Sequence, residues 1–168
     1  MTDQDFEFVR RLLLEREQAR SPVAEALLFM TSRAQLVDQV IKPALDHGQI
    51  VVSDRFLLST VVYQGYGSGL DPKLIWEVGW FAASGLEPDL TLVLDLPVDV
   101  ARARITRPAD RIETRDADYY QRVRDGFLTE AQQNPSRIHV LDAMPAPEVV
   151  HASIRQEVSR VLETHSRA

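Results

Sequence analysis

Short apolar runs alternate with helical patterns along this chain. Residues 50–52 (Ile-Val-Val) are β-branched throughout, and two further apolar runs follow at residues 90–94 and 138–141. Uninterrupted runs of this kind are typical of strands that are buried on both faces of a parallel sheet. Segments with helical spacing of apolar residues separate the runs, so the pattern predicts an α/β fold with helices on both faces of a parallel sheet.

Helices are predicted around these strands. Apolar spacing indicates one over residues 1–20, and Ser21-Pro22 is typical of the start of a second, which Pro43 should kink or split. Its buried side is expected to carry Leu27, Leu28, Leu36, Val37, Val40 and Ile41. Further helices are predicted near residues 57–63, 72–84, 97–105, 118–132 and 147–162, with a glycine-rich turn over residues 65–67.

Composition narrows the class of protein. A chain of 168 residues that is 45% hydrophobic suits one domain, residues 1–168. A net charge of −6 argues against nucleic-acid binding, and the lack of cysteine excludes disulfides and thiolate metal sites. The charged N-terminus is unlike a signal peptide, and no apolar run approaches the ~20 residues of a membrane span. We therefore expect a cytoplasmic protein with no membrane partner.

The first candidate site follows the run at residues 50–52. Asp54 and Arg55 come at the end of this predicted strand, where ligands of α/β sheets bind. A carboxylate there can hold Mg²⁺ or a magnesium-bound water, and the adjacent guanidinium can grip a phosphate with two hydrogen bonds. The alternative is ordinary turn chemistry, since many strands end in aspartate.

Two polar clusters lie further along. Ser59, Thr60 and Tyr63 share roughly one face of the predicted helix, where their hydroxyls could contact a sugar or base edge or simply face solvent. Four arginines fall within ten residues: Arg102, Arg104, Arg107 and Arg111. They suit either a helix C-terminus or a lid, approximately residues 102–115, that neutralises a transferred phosphoryl group.

No phosphate-cradling glycine loop occurs in the 168 residues. Neither G-x-x-x-x-G-K-[ST] nor G-x-G-x-x-G is present, and the clustered Gly65, Gly67 and Gly69 are not followed by Lys-Ser or Lys-Thr. From the residues alone, a phosphate cradle of the usual kind is therefore not expected.

From about residue 10 to its end the chain resembles bacterial thymidylate kinases. The motifs that carry this resemblance come in the family's order and at close to its spacing. They are Glu25-Ala26-Leu27-Leu28-Phe29, Ser32-Arg33-Ala34-Gln35, Val40-Ile41-Lys42-Pro43-Ala44-Leu45, Asp54-Arg55-Phe56, Ser59-Thr60, Tyr63-Gln64-Gly65-Tyr66-Gly67, Pro88-Asp89-Leu90-Thr91, Leu94-Asp95-Leu96 and Asp110-Arg111-Ile112-Glu113.

The resemblance implies ATP-dependent phosphorylation of thymidine monophosphate (dTMP) to the diphosphate with Mg²⁺, and a homodimer. It implies that Phe29 stacks on thymine, that Arg33 reads the base edge and that Arg55 holds the acceptor phosphate. Asp54 would act near magnesium, indirectly through a bound water or a phosphate. Arg104, Arg107 and Arg111 would be catalytic lid arginines. The residues implied to line the base and sugar are Ser59, Thr60, Tyr63 and Gln64, with the tyrosine favouring deoxyribose.

Departures from the family pattern leave alternatives. The family's fold is that of P-loop nucleoside monophosphate kinases, and its first, central strand and phosphate loop have no counterpart here; Ser68 also stands where arginine is common. We therefore expect the chain as written to bind the acceptor without useful turnover. The alternatives are a non-catalytic nucleotide-binding or structural remnant and a related deoxynucleoside kinase.

Overall fold

The computed structural model of the protein describes residues 21–105 and 115–165, so the helix predicted over residues 1–20 lies outside the described part. The chain divides into two compact units. Of the described residues, the first unit comprises 21–87 and 115–123, and the second comprises 88–105 and 124–165.

The first unit begins with an interrupted helix. Helix α1, Pro22–Leu36, continues into a π-helical segment, Val37–Ile41, and then into helix α2, Lys42–Asp46. The Ser21 hydroxyl accepts a hydrogen bond from the Ala24 amide at 3.2 Å, which confirms the predicted start. The predicted interruption at Pro43 takes the form of the π-helical turn before it, because proline lacks an N–H and crowds the carbonyl four residues earlier.

A second interrupted helix follows. Helix α3, Leu57–Thr60, runs directly into a longer π-helical segment, Val61–Gly67, hereafter the second π segment. The glycine-rich turn predicted over residues 65–67 is therefore wrong, because these residues are helical. The chain turns just afterwards at Gly69, whose φ is 81°. Helix α4, Pro72–Ala82, starts after the Asp71 cap, which accepts a hydrogen bond from the Lys73 amide at 2.9 Å.

One core cluster of the first unit lies between α1, α3, the second π segment and α4. It contains Ala26, Met30, Leu57, Val61 and Ile75. The expected buried side of the long helix is only partly correct. Val37 and Ile41 are buried, but 52% of Leu27 and 55% of Val40 is exposed. Apolar residues surround more than one face of α1, so periodicity could not choose the face that packs inward.

The strand predicted at residues 50–52 is absent, and this corrects the prediction. These residues are irregular; 71% of Ile50 and 92% of Val52 is exposed, while Val51 packs against the cluster around Val37 and Ile41. A strand needs a neighbour for its backbone N–H and C=O groups. In the part of the chain that the structure describes, this segment pairs with no strand.

The second unit holds a parallel sheet. Strand β1, Thr91–Asp95, pairs with β2, Ile138–Asp142, in a register that sets Asp95 opposite Asp142. This confirms a parallel α/β arrangement and places both predicted strands to within a residue. The helices near the sheet in sequence are α5, Val98–Ala103, and α7, Pro147–His165. Helix α6, Ala117–Gln133, contributes its residues through Val123 to the first unit and the rest to the second.

An ion pair marks the end of β1. Asp95 accepts two hydrogen bonds from Arg124, from Nε to Oδ1 at 2.7 Å and from Nη2 to Oδ2 at 2.8 Å. The side-chain hydrogen bond from Arg124 lowers the pKa of Asp95, and partial burial opposes it. This two-point geometry fixes α6 against the carboxyl end of β1 within the second unit.

The substitution Arg124→Met should raise the pKa of Asp95 toward its ordinary value, because both hydrogen bonds to the carboxylate are lost. The depressed pKa means that this contribution to stability is present above the ordinary pKa of aspartate and is lost as pH falls through the folded pKa. Carboxyl-carbon NMR titration measures the shift. Arg160→Met, at another ion pair of the same unit, is the matched control, and an unchanged Asp95 pKa in Arg124→Met would contradict the assignment.

Candidate functional site

A half-buried arginine forms the centre of the site in the first unit. Arg33, in the last turn of α1, donates from Nη1 to the Thr60 hydroxyl and from Nη2 to the Phe56 carbonyl, both at 2.5 Å. Its guanidinium carbon lies 5.9 Å from the ring centroids of both Phe29 and Phe56. The two aromatic rings and the hydroxyl therefore hold the guanidinium in one position.

One donor of this guanidinium is unused. The Arg33 Nε is buried and finds no hydrogen-bond partner among the described residues. Burial lowers the pKa of Arg33 to about 10, so the group is still charged at neutral pH. A buried donor without a partner costs about 1–3 kcal/mol, which a ligand acceptor at this position would recover.

A buried side-chain amide lies four residues after Thr60. Gln64 is 1% exposed, and its Nε2 donates to Glu25 Oε2 at 3.3 Å. Its Oε1 is buried and has no partner within the described structure. Thr60 and Gln64 are four residues apart in one continuous helical stretch, so their side chains lie on about the same side. The hydroxyl that binds Arg33 is thus one turn from the free amide oxygen.

Asp54 and Arg55 lie on the exposed loop before α3. The backbone of Arg55 has a φ of 70°, a left-handed conformation that is costly for a residue with a Cβ. The Ser53 hydroxyl donates to the Arg55 carbonyl at 2.9 Å, and this stabilises the turn. The Arg55 guanidinium lies 5.2 Å from the ring centroid of Tyr63. The loop therefore presents a cation over an aromatic ring, with a carboxylate next to it in sequence.

The second π segment is held by the first turns of α6. The Tyr119 hydroxyl donates to the Tyr63 carbonyl at 3.1 Å, and Arg122 donates to the Gly67 carbonyl from Nε at 3.3 Å and Nη2 at 3.0 Å. A Cβ at Gly67 would come within 2.8 Å of Tyr119 Cε2 and 2.9 Å of Val123 Cγ2. Glycine is required at this position because α6 packs directly on the backbone.

The structure brings some of the predicted site residues together. Arg33 lies near the Phe29 ring and binds Thr60, and Gln64 follows Thr60 by one turn. Arg55 lies near the Tyr63 ring. Ser59 is partly buried beside Thr60. These placements were predicted only as roles implied by the resemblance, and the roles themselves stay predictions.

The predicted lid arginines are largely untested. Arg107 and Arg111 lie outside the described residues. Arg104 is exposed and donates to the carbonyls of Ala143 at 3.0 Å and Met144 at 3.4 Å, just after β2. Its guanidinium is therefore bound to the loop at the carboxyl end of a strand of the second unit.

Several residues of the site escaped prediction. Glu25 is 1% exposed, and its Oε2 lies 3.8 Å from Arg115 Nη2. The Arg115 guanidinium carbon lies 4.8 Å from the ring centroid of Tyr119. A signal for Glu25 was present in the sequence. This acid lies one helical turn before Phe29 and next to Ala26, and therefore on the inward face of the helix. The signal for Tyr119 and Arg122 was their spacing of three residues on one face of α6.

Two aromatic rings near a charged donor, and a buried amide oxygen one helical turn beyond Thr60, are groups that suit a planar ligand with a hydrogen-bonding edge. The thymidylate kinase family model matches residues 7–154. The chain belongs to the thymidylate kinase family, and its members are nucleoside monophosphate kinases. This confirms the family prediction made from the motifs.

Individual members of the thymidylate kinase family also match the chain. Thymidylate kinase of Kosmotoga olearia is 44% identical over 153 residues, covering 90% of this chain and 74% of that protein. Thymidylate kinase of Chlorobaculum tepidum is 42% identical over 159 residues, covering 88% and 74%. The crystal structure of thymidylate kinase from Ehrlichia chaffeensis matches with a TM-score of 0.71 at 33% identity, covering 90% of this chain and 72% of that one. No helix in the described part is long and apolar enough to span a membrane.

The substitution Gly67→Ala should lower the free energy of unfolding by about 1–3 kcal/mol, the usual range for overpacking a tight contact. The new methyl group would meet Tyr119 and Val123 and separate α6 from the second π segment. Chemical denaturation measures the loss. In a double-mutant cycle, Val123→Ala should cost less in the Gly67→Ala background than alone, because it removes one of the clashing groups. Strict additivity would contradict this packing.

Proposed function

We propose that the chain binds dTMP as the phosphoryl acceptor for ATP, as expected of a thymidylate kinase. The observation that carries the proposal is a pair of buried, unpartnered polar atoms, a donor at Arg33 Nε and an acceptor at Gln64 Oε1. The first belongs to a side chain that binds Thr60, and the second lies one helical turn beyond Thr60. Phe29 is proposed to stack on the base.

The base edge of thymine complements this pair. Thymine presents a carbonyl oxygen, O4, beside an N3–H donor, so O4 suits the arginine and N3–H suits the amide oxygen. Cytosine presents an amino donor and a bare N3 acceptor, which is the reversed pattern. A site whose buried polar atoms are left unpaired by the wrong ligand discriminates strongly against that ligand. The pattern of donor and acceptor therefore supports thymine over cytosine.

The acceptor phosphate is assigned to Arg55. Its guanidinium is exposed and supported by the Tyr63 ring, so it can turn toward a phosphate without leaving a buried charge unpaired. Tyr63 and Ser59 are proposed to line the sugar, with the tyrosine ring favouring deoxyribose. The strained φ of Arg55 fits a residue that is held in one conformation for a ligand.

Magnesium and ATP complete the proposed reaction. Mg²⁺ is usually held by one or two carboxylates together with waters and substrate phosphates. Asp54, an exposed carboxylate next to Arg55, fits that role through a bound water or a phosphate oxygen. Among the described residues there is no cluster of three acidic or histidine side chains that would hold a metal alone. When bound, the ion neutralises charge on the phosphates, and the lid arginines Arg104, Arg107 and Arg111 are proposed to add to this.

These roles describe the acceptor half of a transfer site. No G-x-x-x-x-G-K-[ST] motif occurs in the 168 residues, and none of the roles proposed above is that of a cradle for the ATP phosphates. That the chain as written transfers phosphoryl groups from ATP to dTMP without useful turnover stays a prediction.

We also propose a domain organisation, an oligomeric state and a compartment for the protein. Residues 1–168 form one domain with a lid at approximately residues 102–115, and the protein is a homodimer in the cytoplasm. The exposed apolar side chains of Val23 and Leu27, one turn apart on α1, support a self-association surface. The lack of cysteine is compatible with a reducing compartment.

The substitution Arg33→Met should weaken dTMP binding by about 5- to 150-fold, the equivalent of 1–3 kcal/mol for a buried hydrogen bond. Methionine keeps much of the apolar stem but cannot donate to the base. Titration calorimetry with dTMP and deoxycytidine monophosphate (dCMP) measures the effect, with the melting temperature as the check on folding. Arg160→Met, in the second unit, is the control. Unchanged dTMP affinity, or equal wild-type affinity for the two nucleotides, would sink the proposal.

The substitution Arg55→Met should remove the phosphate contribution alone. Affinity for dTMP should fall by about 10- to 150-fold, the range for a hydrogen bond to a charged group, and approach that for thymidine. Affinity for thymidine, which has no phosphate to meet Arg55, should stay within about twofold of the wild-type value, because an exposed substitution away from a contact usually changes free energies by no more than about 0.5 kcal/mol. An equal loss for both ligands would show that Arg55 acts on the fold or the base and not on the phosphate.

A further inference from the structure

The buried carboxylate of Glu25 has no role in the resemblance described above. Glu25 is 1% exposed, and Gln64 is also 1% exposed. The Gln64 Nε2 donates a hydrogen bond to Glu25 Oε2 at 3.3 Å. Its Oε2 also lies 3.8 Å from Arg115 Nη2, and Arg115 is itself 31% exposed. A carboxylate removed from water needs such partners. The pair of Glu25 and Arg115 therefore keeps a negative acceptor in contact with the Gln64 amide.

The carboxylate decides which way the amide points. An ionised carboxylate only accepts hydrogen bonds, whereas the two ends of a glutamine amide differ, since the nitrogen donates and the oxygen accepts. Turning the amide over would set its oxygen against the carboxylate oxygen and lose the hydrogen bond. The nitrogen therefore faces Glu25, and the oxygen is left as the free group, as its lack of a partner in the described structure shows.

We propose that Glu25 is a positioning residue for base selectivity, because it fixes the Gln64 amide with its oxygen available to the ligand. An oxygen at that position favours a base with an N–H donor and disfavours one with a bare ring nitrogen. Without the carboxylate the amide is free to turn over, and its nitrogen would then serve a cytosine N3 equally well. The inference rests on the proposed function, since it presumes that Gln64 meets the base edge.

The first test is Glu25→Gln. The new amide can donate or accept, so it holds Gln64 in either orientation. We expect the preference for dTMP over dCMP, measured by titration calorimetry, to fall by about tenfold or more, mainly through a gain in dCMP affinity. Glu77→Gln, an exposed acid on α4 of the same unit, is the matched control and should leave the preference unchanged.

The second test is the exchange variant Glu25→Gln with Gln64→Glu. Here the carboxylate stands at position 64, accepts from the amide at position 25 and offers the ligand only an acceptor. The preference for dTMP should return toward the wild-type value. A purely structural role of Glu25 would lower the affinity for both nucleotides together with the melting temperature, and the exchange would not restore the preference.

The outcomes separate the two claims. Wild-type protein that binds dTMP and dCMP equally overturns the proposed function. Wild-type protein that discriminates, with Glu25→Gln discriminating equally well, overturns the role of Glu25 and leaves the proposed function standing. If Glu25→Gln does not fold, the exchange variant decides. If neither folds, the imino proton of dTMP bound to wild-type protein decides, and a rapidly exchanging imino signal would contradict an oxygen-facing Gln64.

Discussion

Burial of polar side chains in a small apolar core is the constraint on which the rest of the first unit depends. Glu25, Thr60 and Gln64 are each at most 2% exposed, and Arg33 donates a hydrogen bond to Thr60. A charge or amide in such surroundings is destabilising by several kcal/mol unless it is paired. The helices must therefore approach so that Arg33 reaches Thr60 and Glu25 reaches Gln64. Among the residues that the structure describes, two buried side-chain atoms remain unpaired, Arg33 Nε and Gln64 Oε1, and these define the proposed site.

The second π segment gives this polar core its geometry. A π-helical turn adds a residue to the hydrogen-bonded loop, and such turns recur at functional sites. Here seven residues, Val61–Gly67, adopt it while Gly67 lies directly against α6. Tyr119 and Arg122 donate hydrogen bonds to the backbone carbonyls of this segment that face α6. Tyr119 thus binds the backbone carbonyl of Tyr63, while Glu25 binds the Gln64 side chain, and positions held in this way are the preorganisation that selective binding requires.

The sequence predicted the elements whose signals are local. The Ser21 cap, the parallel strands β1 and β2 and the interruption at Pro43 all follow from nearest neighbours along the chain. The strand at residues 50–52 did not form in the described structure, because strands depend on a partner that local pattern cannot supply. The turn predicted over residues 65–67 was wrong for a similar reason, since these glycines lie in tertiary contacts that local pattern does not show: Gly67 lies against α6 and Gly65 against Pro72. The inward face of α1 was ambiguous because Leu27 is as apolar as the residues that pack.

The candidate site likewise contains residues that could be predicted from the sequence and residues that depend on tertiary contacts. Phe29, Arg33 and Gln64 could be named through the family resemblance, and their roles at a base stay predictions. Glu25 and Arg115 could not, because the pairing of a buried acid with residues 39 positions away and beyond is a tertiary contact. The left-handed backbone of Arg55 had no signal either, since most residues with a positive φ are glycine or asparagine.

The central claim is that a buried donor and a buried acceptor together read the edge of thymine. The most direct measurement is a crystal structure of the protein with dTMP bound. We expect Arg33 Nε within about 3 Å of thymine O4 and Gln64 Oε1 within about 3 Å of N3, normal hydrogen-bond distances. A base whose edge faces solvent, with both of those atoms still unpaired, would contradict this assignment.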